Sequence, residues 1–284
     1  MSSRCKSALT VVNKNTDDPK ERNLKEICRD LHNEQEALDV IVSKLSNEQW
    51  DLITPFIGWS IKYEIAHVTF WDMAARLAAS DESAFKKLIG SMFVSEEAYM
   101  ESQRELREAT PAYVMEYWRR ERKALVDALA TKDPKDRIPW VGPTMSARSK
   151  ATARIMETWA HGQDVVDTLG IEREPTDRLR HVTHIGVTTF GWSHVSRGLE
   201  VPDVAVRLEL IGPSGDLWTW GSEDASDSIK GQAEDFCLVV VQRRHVDDTR
   251  LEVRGDVARN WMLIAQAFAG PPVAGPKPGE RKIT

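Results

Sequence analysis

The spacing of apolar residues changes once along this chain, near residue 200, and this change constrains the fold more than any other feature. Before it, apolar side chains recur every three or four residues over long stretches, which is the pattern of amphipathic helices. After it, apolar residues occupy every second position from Val204 to Leu210, the pattern of a half-buried strand. The sequence therefore predicts an α+β protein in which a helical bundle precedes a smaller α+β region.

Turn and cap residues divide both regions into elements. Ser60 is suited to N-cap a helix, Pro111 to occupy a first turn and Gly170 to end a helix. The predicted helices of the first region are 21–45, 60–79, 83–108, 111–130, 146–169 and 177–197. In the second region we expect strands at 204–210, 217–220, 228–230 and 251–254, and helices at 232–245 and 257–268.

These signals predict five segments along the chain. They are a disordered arm at 1–20, a helical bundle at 21–170, a connecting helix at 171–200, an α+β domain at 201–270 and a disordered tail at 271–284. The arm is polar, and the tail contains Pro271, Pro272, Pro276 and Pro278, so neither has the apolar pattern of a packed element.

Composition excludes several classes of protein. The 38 basic and 44 acidic residues give a formal charge of −6, which argues against a broad electrostatic surface for nucleic acid or anionic lipid. The three cysteines, Cys5, Cys28 and Cys237, are widely spaced, so neither a disulfide framework nor a thiolate zinc site is predicted. No apolar run is long enough to span a membrane, and no secretory signal is evident. We expect a cytoplasmic protein without a nucleic-acid or membrane partner.

The helix predicted at 146–169 contains the sharpest chemical pattern. Glu157 and His161 are four residues apart, so on a helix both side chains project from one face and could bind one ion. Asp164, three residues further on, could accept a hydrogen bond from the free imidazole nitrogen and fix the ring. The same spacing is also that of a solvated helix face with an ordinary ion pair, which is the commoner situation.

His67 supplies a third candidate ligand. It lies on the apolar stripe of the helix predicted at 60–79, where a single histidine is more often a hydrogen-bonded core residue than a ligand. Together with Glu157 and His161, however, it would complete a set of two histidines and one glutamate. Three protein ligands with an open fourth position form the arrangement of a catalytic zinc site.

Several motifs resemble those of one known family. Gly58-Trp59-Ser60 followed by Ala66-His67, and the run from Glu157 to His161, are similar to the metal-binding signatures of DinB-like bundle proteins. The closest resemblance is to the mycothiol-dependent maleylpyruvate isomerase superfamily, in particular to its uncharacterised actinobacterial-type metal-binding branch. The segments 146–164, 235–245 and 266–272 are similar to that branch as well, and the resemblance covers about residues 24–272.

The resemblance implies a DinB-like four-helix bundle followed by a sterol-carrier-like C-terminal domain. It further implies a divalent ion, usually Zn²⁺, bound by His67, Glu157 and His161, with water completing its coordination. The cofactor would be a low-molecular-weight thiol such as mycothiol, which adds to an electrophilic double bond. Because zinc lowers the pKa of a bound thiol, the metal suits this chemistry.

A carboxylate-binding arginine is also implied by the resemblance, and Arg243 and Arg244 are the candidates for this catalytic role. Two adjacent arginines near a helix end are also typical of solvated side chains that complement the helix dipole. His181 and His184, three residues apart, form a weaker candidate for a second ligand pair. No residue is singled out for binding the thiol cofactor.

Three functions remain open from the sequence. The first is a metal-dependent enzyme of the thiol-dependent isomerase or thiol S-transferase type, acting on a small electrophilic or carboxylate substrate. The second keeps the metal but makes the enzyme a hydrolase or lyase on an acyl substrate, with metal-activated water as the nucleophile. The third is a non-catalytic protein that binds a metal and a lipid. Oligomeric state is not predicted.

Overall fold

Four long helices dominate the first half of the structure, a computed structural model in which residues 23–281 are described. Each long helix begins where a side chain caps it, since Asn23, Ser60, Thr110 and Ser146 each accept a hydrogen bond from a backbone N–H of the first turn. The helices of this half are α1 (Leu24–Val42), α2 (Asn47–Trp50), α3 (Ile61–Ser80), α4 (Glu82–Met92), α5 (Glu96–Ser102), α6 (Arg104–Glu108), α7 (Pro111–Ala130) and α8 (Ala147–Leu169). A short antiparallel hairpin, β1 (Arg137–Ile138) and β2 (Met145–Ser146), precedes α8.

The long helices α1, α3, α7 and α8 pack as a four-helix bundle. Helices α1 and α3 each contact both α7 and α8, so the apolar stripes of all four meet in one interior. Buried side chains fill this interior in two clusters, one with Leu31 and Ile155 and the other with Ile65 and Trp118. The arrangement confirms the predicted bundle and sets α3 directly against α8.

The helix predicted at 83–108 is instead three short helices, α4 to α6. Helix α4 ends at Met92, and Ser95 accepts a hydrogen bond from the backbone N–H of Ala98 to begin α5. Helix α5 ends at Ser102, next to the buried side chain of Gln103. The segment is helical, as its pattern predicts, but the Ser95 cap divides it.

The second half contains a four-stranded sheet and several helices. Its elements are α9 (Leu179–Thr188), α10 (Phe190–Val195), β3 (Val206–Ile211), β4 (Leu217–Trp220), β5 (Asp227–Gln232), α11 (Ala233–Val240), a 3₁₀ turn (Val246–Asp248), β6 (Glu252–Arg254) and α12 (Asp256–Ile264). The strand order is β4-β3-β5-β6; β3 pairs antiparallel with β4 and parallel with β5, and β5 pairs antiparallel with β6. An α+β fold, as predicted, is confirmed.

Two predicted helices of this half are shorter or divided. The helix predicted at 177–197 is divided into α9 and α10 at Thr188 and Thr189, whose hydroxyls both donate to carbonyls of the preceding turn. The helix predicted at 232–245 ends at Val240, because Gln242 takes a left-handed conformation with φ of 58°. The N–H of Arg243 then donates to the carbonyl of Leu238 at 2.8 Å, which closes the helix end in a Schellman motif.

The described residues fall into two compact units, 23–172 and 173–281. The segment predicted as a connecting helix, 171–200, therefore belongs mostly to the second unit. The segment predicted as a disordered tail, 271–284, has no helix or strand over its described part, 271–281, but it is hydrogen-bonded to the rest of the unit. Arg197 donates to the carbonyl of Val273, and the N–H of Gly279 donates to the carboxylate of Asp248. The predicted arm at 1–20 lies outside the described residues. Among those described, no helix has the length and apolar character to cross a membrane.

Candidate metal centre

Helices α3 and α8 position the candidate ligands. Helix α3 begins after Ser60, whose hydroxyl accepts from the backbone N–H of Tyr63 at 3.2 Å, and presents His67 two turns into the helix. Helix α8 presents Glu157 and His161 on one face, as their four-residue spacing predicts. Because α3 packs against α8, His67 lies opposite this pair.

The three predicted ligands meet at one point. His67, Glu157 and His161 each offer one ligand atom, and these atoms lie within 4.8 Å of one another. The Nε2 of His161 and the Oε2 of Glu157 are 3.4 Å apart. Two ligands bound tetrahedrally at zinc distances lie about 3.3 Å from each other. The donor set and its spacing therefore fit a divalent ion with at least one position left for another molecule.

The other nitrogen of His161 contacts a residue that the sequence pattern does not single out. Its Nδ1 lies 2.7 Å from Oε2 of Glu64 on α3, whereas the predicted partner Asp164 is 4.0 Å away. With its Nδ1–H donated to an ionised Glu64, His161 can offer the Nε2 lone pair to a metal ion; when no ion is bound, a protonated Nε2 faces Glu157 instead. Glu64 is therefore at hydrogen-bond distance from this nitrogen, because the bundle packing brings α3 closer to it than the next turn of α8, and the orienting role of Asp164 stays a prediction.

Glu64 is itself held from behind. The hydroxyl of Thr54 donates to Oε1 of Glu64 at 2.6 Å, and the backbone N–H of Phe56 donates to the Thr54 hydroxyl at 3.2 Å. Glu64 is fully buried, and this burial raises the pKa of its carboxyl, against the opposing effect of the His161 hydrogen bond. Glu64 stands three residues before His67 on α3, but this spacing does not identify His161, on another helix, as its partner.

Glu157 has the opposite electrostatic environment. Burial alone would raise its pKa, but the hydrogen bond and charge of His161, together with the charges of Arg154 and His67, lower the pKa of this carboxyl to about 2. Glu157 is therefore an anion throughout the neutral range. An anionic oxygen beside two imidazoles is the kind of donor set that Zn²⁺ binds well.

A second group of possible metal ligands also contains His161. Glu64, His161 and Asp164 are all buried and also place one ligand atom each within 4.8 Å of one another. In this set, however, Nδ1 of His161 and the Glu64 oxygen are at hydrogen-bond distance, too close for two ligands of one tetrahedral ion. The set with His67, Glu157 and His161 is the better candidate.

Aromatic rings surround the candidate ligands. The ring centroid of Trp59 is 4.9 Å from that of His67, and Trp59 lies parallel to His161 at 6.1 Å. Phe56 meets the His161 ring edge-on at 5.5 Å. Such apolar walls reduce the local dielectric and strengthen the charge interactions at the cluster.

The remaining predicted site residues lie in the second unit. Arg243 and Arg244 follow α11 rather than lying on it, and both are buried: Arg243 donates to the carbonyl of Val241 and Arg244 to that of Arg243. His181 and His184 both lie on α9. Among residues 23–281, neither histidine belongs to a cluster of three possible metal ligands.

Helices α3 and α8 thus present two histidines and one glutamate to a common point. This arrangement defines a helical-bundle protein with a candidate metal centre that leaves one coordination position open. Residues 31–166 match the family described as the mycothiol maleylpyruvate isomerase N-terminal domain. The chain is 40% identical, over 247 residues, to two uncharacterized proteins of Mycobacterium tuberculosis, one from strain CDC 1551 / Oshkosh and one from strain H37Rv; the alignment covers 87% of this chain and 96% of each relative. The chain belongs to the DinB-like, mycothiol maleylpyruvate isomerase superfamily.

Solved structures of similar fold agree with this assignment. Two crystal structures of the mycothiol-dependent maleylpyruvate isomerase, one of them a point mutant, match with a TM-score of 0.54 and 18% sequence identity. The match covers 78% of this chain and 90% of the isomerase chain. At this identity, the comparison shows a shared fold.

Proposed function

We propose that this protein is a metal-dependent enzyme of the thiol-dependent isomerase or thiol S-transferase type, acting on a small electrophilic or carboxylate substrate. The observation that supports this most is the convergence of His67, Glu157 and His161, whose ligand atoms lie within 4.8 Å of one another. Family membership adds the expectation of a low-molecular-weight thiol, such as the mycothiol that the isomerase uses.

Each residue of the cluster has a part in this proposal. His67, Glu157 and His161 would hold the divalent ion, most suitably Zn²⁺, and a bound zinc ion supplies positive charge that favours a thiolate at neutral pH. Glu64 keeps the Nδ1 proton of His161 in place, so that Nε2 faces the cluster. Phe56 and Trp59 exclude water from the sides of the cluster, which protects a reactive thiolate and its electrophile.

Metal analysis tests the ligand assignment. Purified protein is expected to contain about one divalent ion per chain, and His67→Ala or His161→Ala should abolish this content. His32, exposed on α1 of the same bundle, provides the matched control, since His32→Ala should leave the metal content unchanged. Full occupancy in both ligand variants would refute the assignment.

Turnover separates the proposed reaction from hydrolysis. Metal-loaded protein should catalyse the addition of a low-molecular-weight thiol to an electrophilic enone. The rate should depend on the thiol concentration, and His161→Ala should abolish the catalysis. Turnover of an activated acyl ester in the absence of thiol would instead favour a hydrolase or lyase. A non-catalytic protein that binds a metal and a lipid is the third alternative, and lipid bound to the purified protein without turnover in either assay would favour it.

A further inference from the structure

A groove of about 730 Å³ lies within the first unit, between the start of α3 and helices α5 and α6. Its volume is in the range of small-molecule sites. Trp59 and Tyr63 line it on one side, and Met100, Arg104 and Arg107 on the other. Because Trp59 also contacts His67, the groove adjoins the candidate metal centre through one aromatic ring.

Arg107 is the unusual residue of this groove. Its guanidinium carbon lies 4.4 Å above the ring centroid of Tyr63, and its one side-chain hydrogen bond goes to the sulfur of Met100 at 3.7 Å. Sulfur is a weak acceptor, so in the described part of the chain most of the five N–H donors of the guanidinium have no strong protein acceptor. Within residues 23–281, no carboxylate lies at ion-pair distance from Arg107.

The neighbouring Arg104, in contrast to Arg107, has a carboxylate as its ion-pair partner. Arg104 also lines the groove, but its Nη2 lies 2.8 Å from the carboxylate of Glu101, one turn earlier. The two arginines therefore differ in a way that matters for a ligand: Arg104 has its counter-ion, whereas Arg107 is held in place by Tyr63 with its donors available.

A column of rings joins Arg107 to the metal centre. The rings of Tyr63 and Trp59 stack with centroids 4.1 Å apart, and Trp59 lies beside His67. Arg107 is thus separated from the candidate metal ligand His67 by the rings of Tyr63 and Trp59. Stacking on a ring also fixes the plane of the guanidinium, so less conformational entropy is lost when it binds a planar anion.

We propose that Arg107 is the carboxylate anchor of a ligand subsite in this groove, and that the subsite selects singly charged carboxylates. The guanidinium fork pairs with a carboxylate through two parallel hydrogen bonds. Four glutamates also line the groove (Glu96, Glu97, Glu101 and Glu108). Within residues 23–281, three of them have no arginine partner such as Glu101 has, so the surrounding field disfavours a dianion. This inference rests on the proposed function only for the reaction that follows binding.

Binding of crotonate, an unsaturated monocarboxylate, tests the proposal on metal-free protein. Ligand-observed NMR titration should show crotonate binding that weakens about tenfold in Arg107→Gln, the loss expected for a charge-assisted pair. Arg104→Gln, which removes the same charge from the same groove, should change crotonate affinity less than twofold. Crotonamide, which lacks the carboxylate, should bind equally to the wild type and to Arg107→Gln, and maleate dianion should bind more weakly than crotonate.

Arg107→Lys provides a second variant if Arg107→Gln does not fold, because it keeps the charge but loses the fork, and intermediate affinity is expected. Unchanged crotonate affinity in Arg107→Gln, or equal losses in Arg107→Gln and Arg104→Gln, would overturn the proposal. These outcomes are independent of turnover. If the protein catalyses thiol addition to an uncharged enone but crotonate affinity is the same in the wild type and Arg107→Gln, the subsite assignment is wrong and the proposed function stands.

Discussion

Asp72 and Arg154 form a buried ion pair between the two helices that carry the candidate ligands. The Nε of Arg154 on α8 lies 2.8 Å from Oδ1 of Asp72 on α3, and both side chains are almost completely inaccessible to solvent. The other oxygen of Asp72 accepts hydrogen bonds from Gln35 on α1 and Trp118 on α7, each at 3.0 Å. One carboxylate therefore joins all four helices of the bundle, next to the turn that carries Glu157.

Replacing Asp72 with Asn should destabilise the bundle strongly. The substitution leaves the charge of Arg154 buried without its counter-ion, so the free energy of unfolding is expected to fall by about 3–5 kcal/mol. The double variant Asp72→Asn/Arg154→Leu should recover part of this loss, since it removes the uncompensated charge. Urea unfolding followed by circular dichroism measures both effects.

The exposed pair Lys123–Asp127 on α7 is the matched control for this experiment. Its charges remain solvated, so Asp127→Asn should change the free energy of unfolding by less than about 1 kcal/mol. Equal losses in Asp72→Asn and Asp127→Asn would show that Asp72 does not organise the bundle.

Glu64→Gln should weaken metal binding about tenfold. The variant keeps the shape of the side chain and an oxygen facing Nδ1 of His161, but it removes the negative charge that strengthens His161 as a ligand. Competition with a chromophoric zinc chelator measures the affinity. Asp164→Asn is the comparison, and its 4.0 Å separation from the same nitrogen predicts a smaller effect. A larger loss in Asp164→Asn than in Glu64→Gln would assign the orienting role to Asp164, as the sequence predicts.

These residues also show how far the sequence can be read. Glu157 and His161 were predictable, because a four-residue spacing on one helix brings side chains together whatever the rest of the fold does. Glu64 was not, since its contact with His161 joins residues 97 positions apart and depends on how α3 packs against α8. Spacing along one helix is local information, whereas the partner of the second imidazole nitrogen is decided by tertiary packing.

The end of α11 at Val240 differs from the prediction for a related reason. The Schellman closure at Val240 normally favours glycine at the left-handed position, but here Gln242 occupies it. The side chain of Gln242 donates to the carbonyl of Ala265, a partner 23 residues away, which helps to hold this conformation. A tertiary contact thus places a helix end where local residue preference predicts continuation through Arg243.

Lys150 should make stability depend on pH. It is buried at the start of α8 with its Nζ 3.1 Å above the Trp140 ring, and burial, reinforced by the charge of Arg154, lowers its pKa from 10.5 to about 5. Near neutral pH the amine is uncharged in the folded protein and protonated in the unfolded chain. The free energy of unfolding should therefore rise with pH between about 5 and 10.5, by up to about 1.4 kcal/mol per pH unit from this group.

Lys150→Met removes this contribution and fills the same space with an apolar chain. We expect the variant to be more stable than the wild type at pH 6, with a difference that shrinks at pH 9 and disappears above the ordinary lysine pKa. Urea unfolding at several pH values measures the difference. Lys123→Met, at an exposed position of α7, should show no such convergence. A pH-independent difference for Lys150→Met would mean that Lys150 is protonated in the folded protein.

Metal binding at the candidate centre should stabilise the first unit by mass action. A ligand that binds only the folded state at one hundred times its dissociation constant adds about 2.7 kcal/mol to the free energy of unfolding. For a unit of this size, that corresponds to a rise in Tm of roughly 5–10 °C on adding zinc to metal-free protein. Differential scanning calorimetry, with and without a chelator, measures the shift. The rise should vanish in His67→Ala and persist in His32→Ala, because His67 offers a ligand atom to the cluster and His32 does not. A rise of equal size in both variants would assign the stabilising metal to another site.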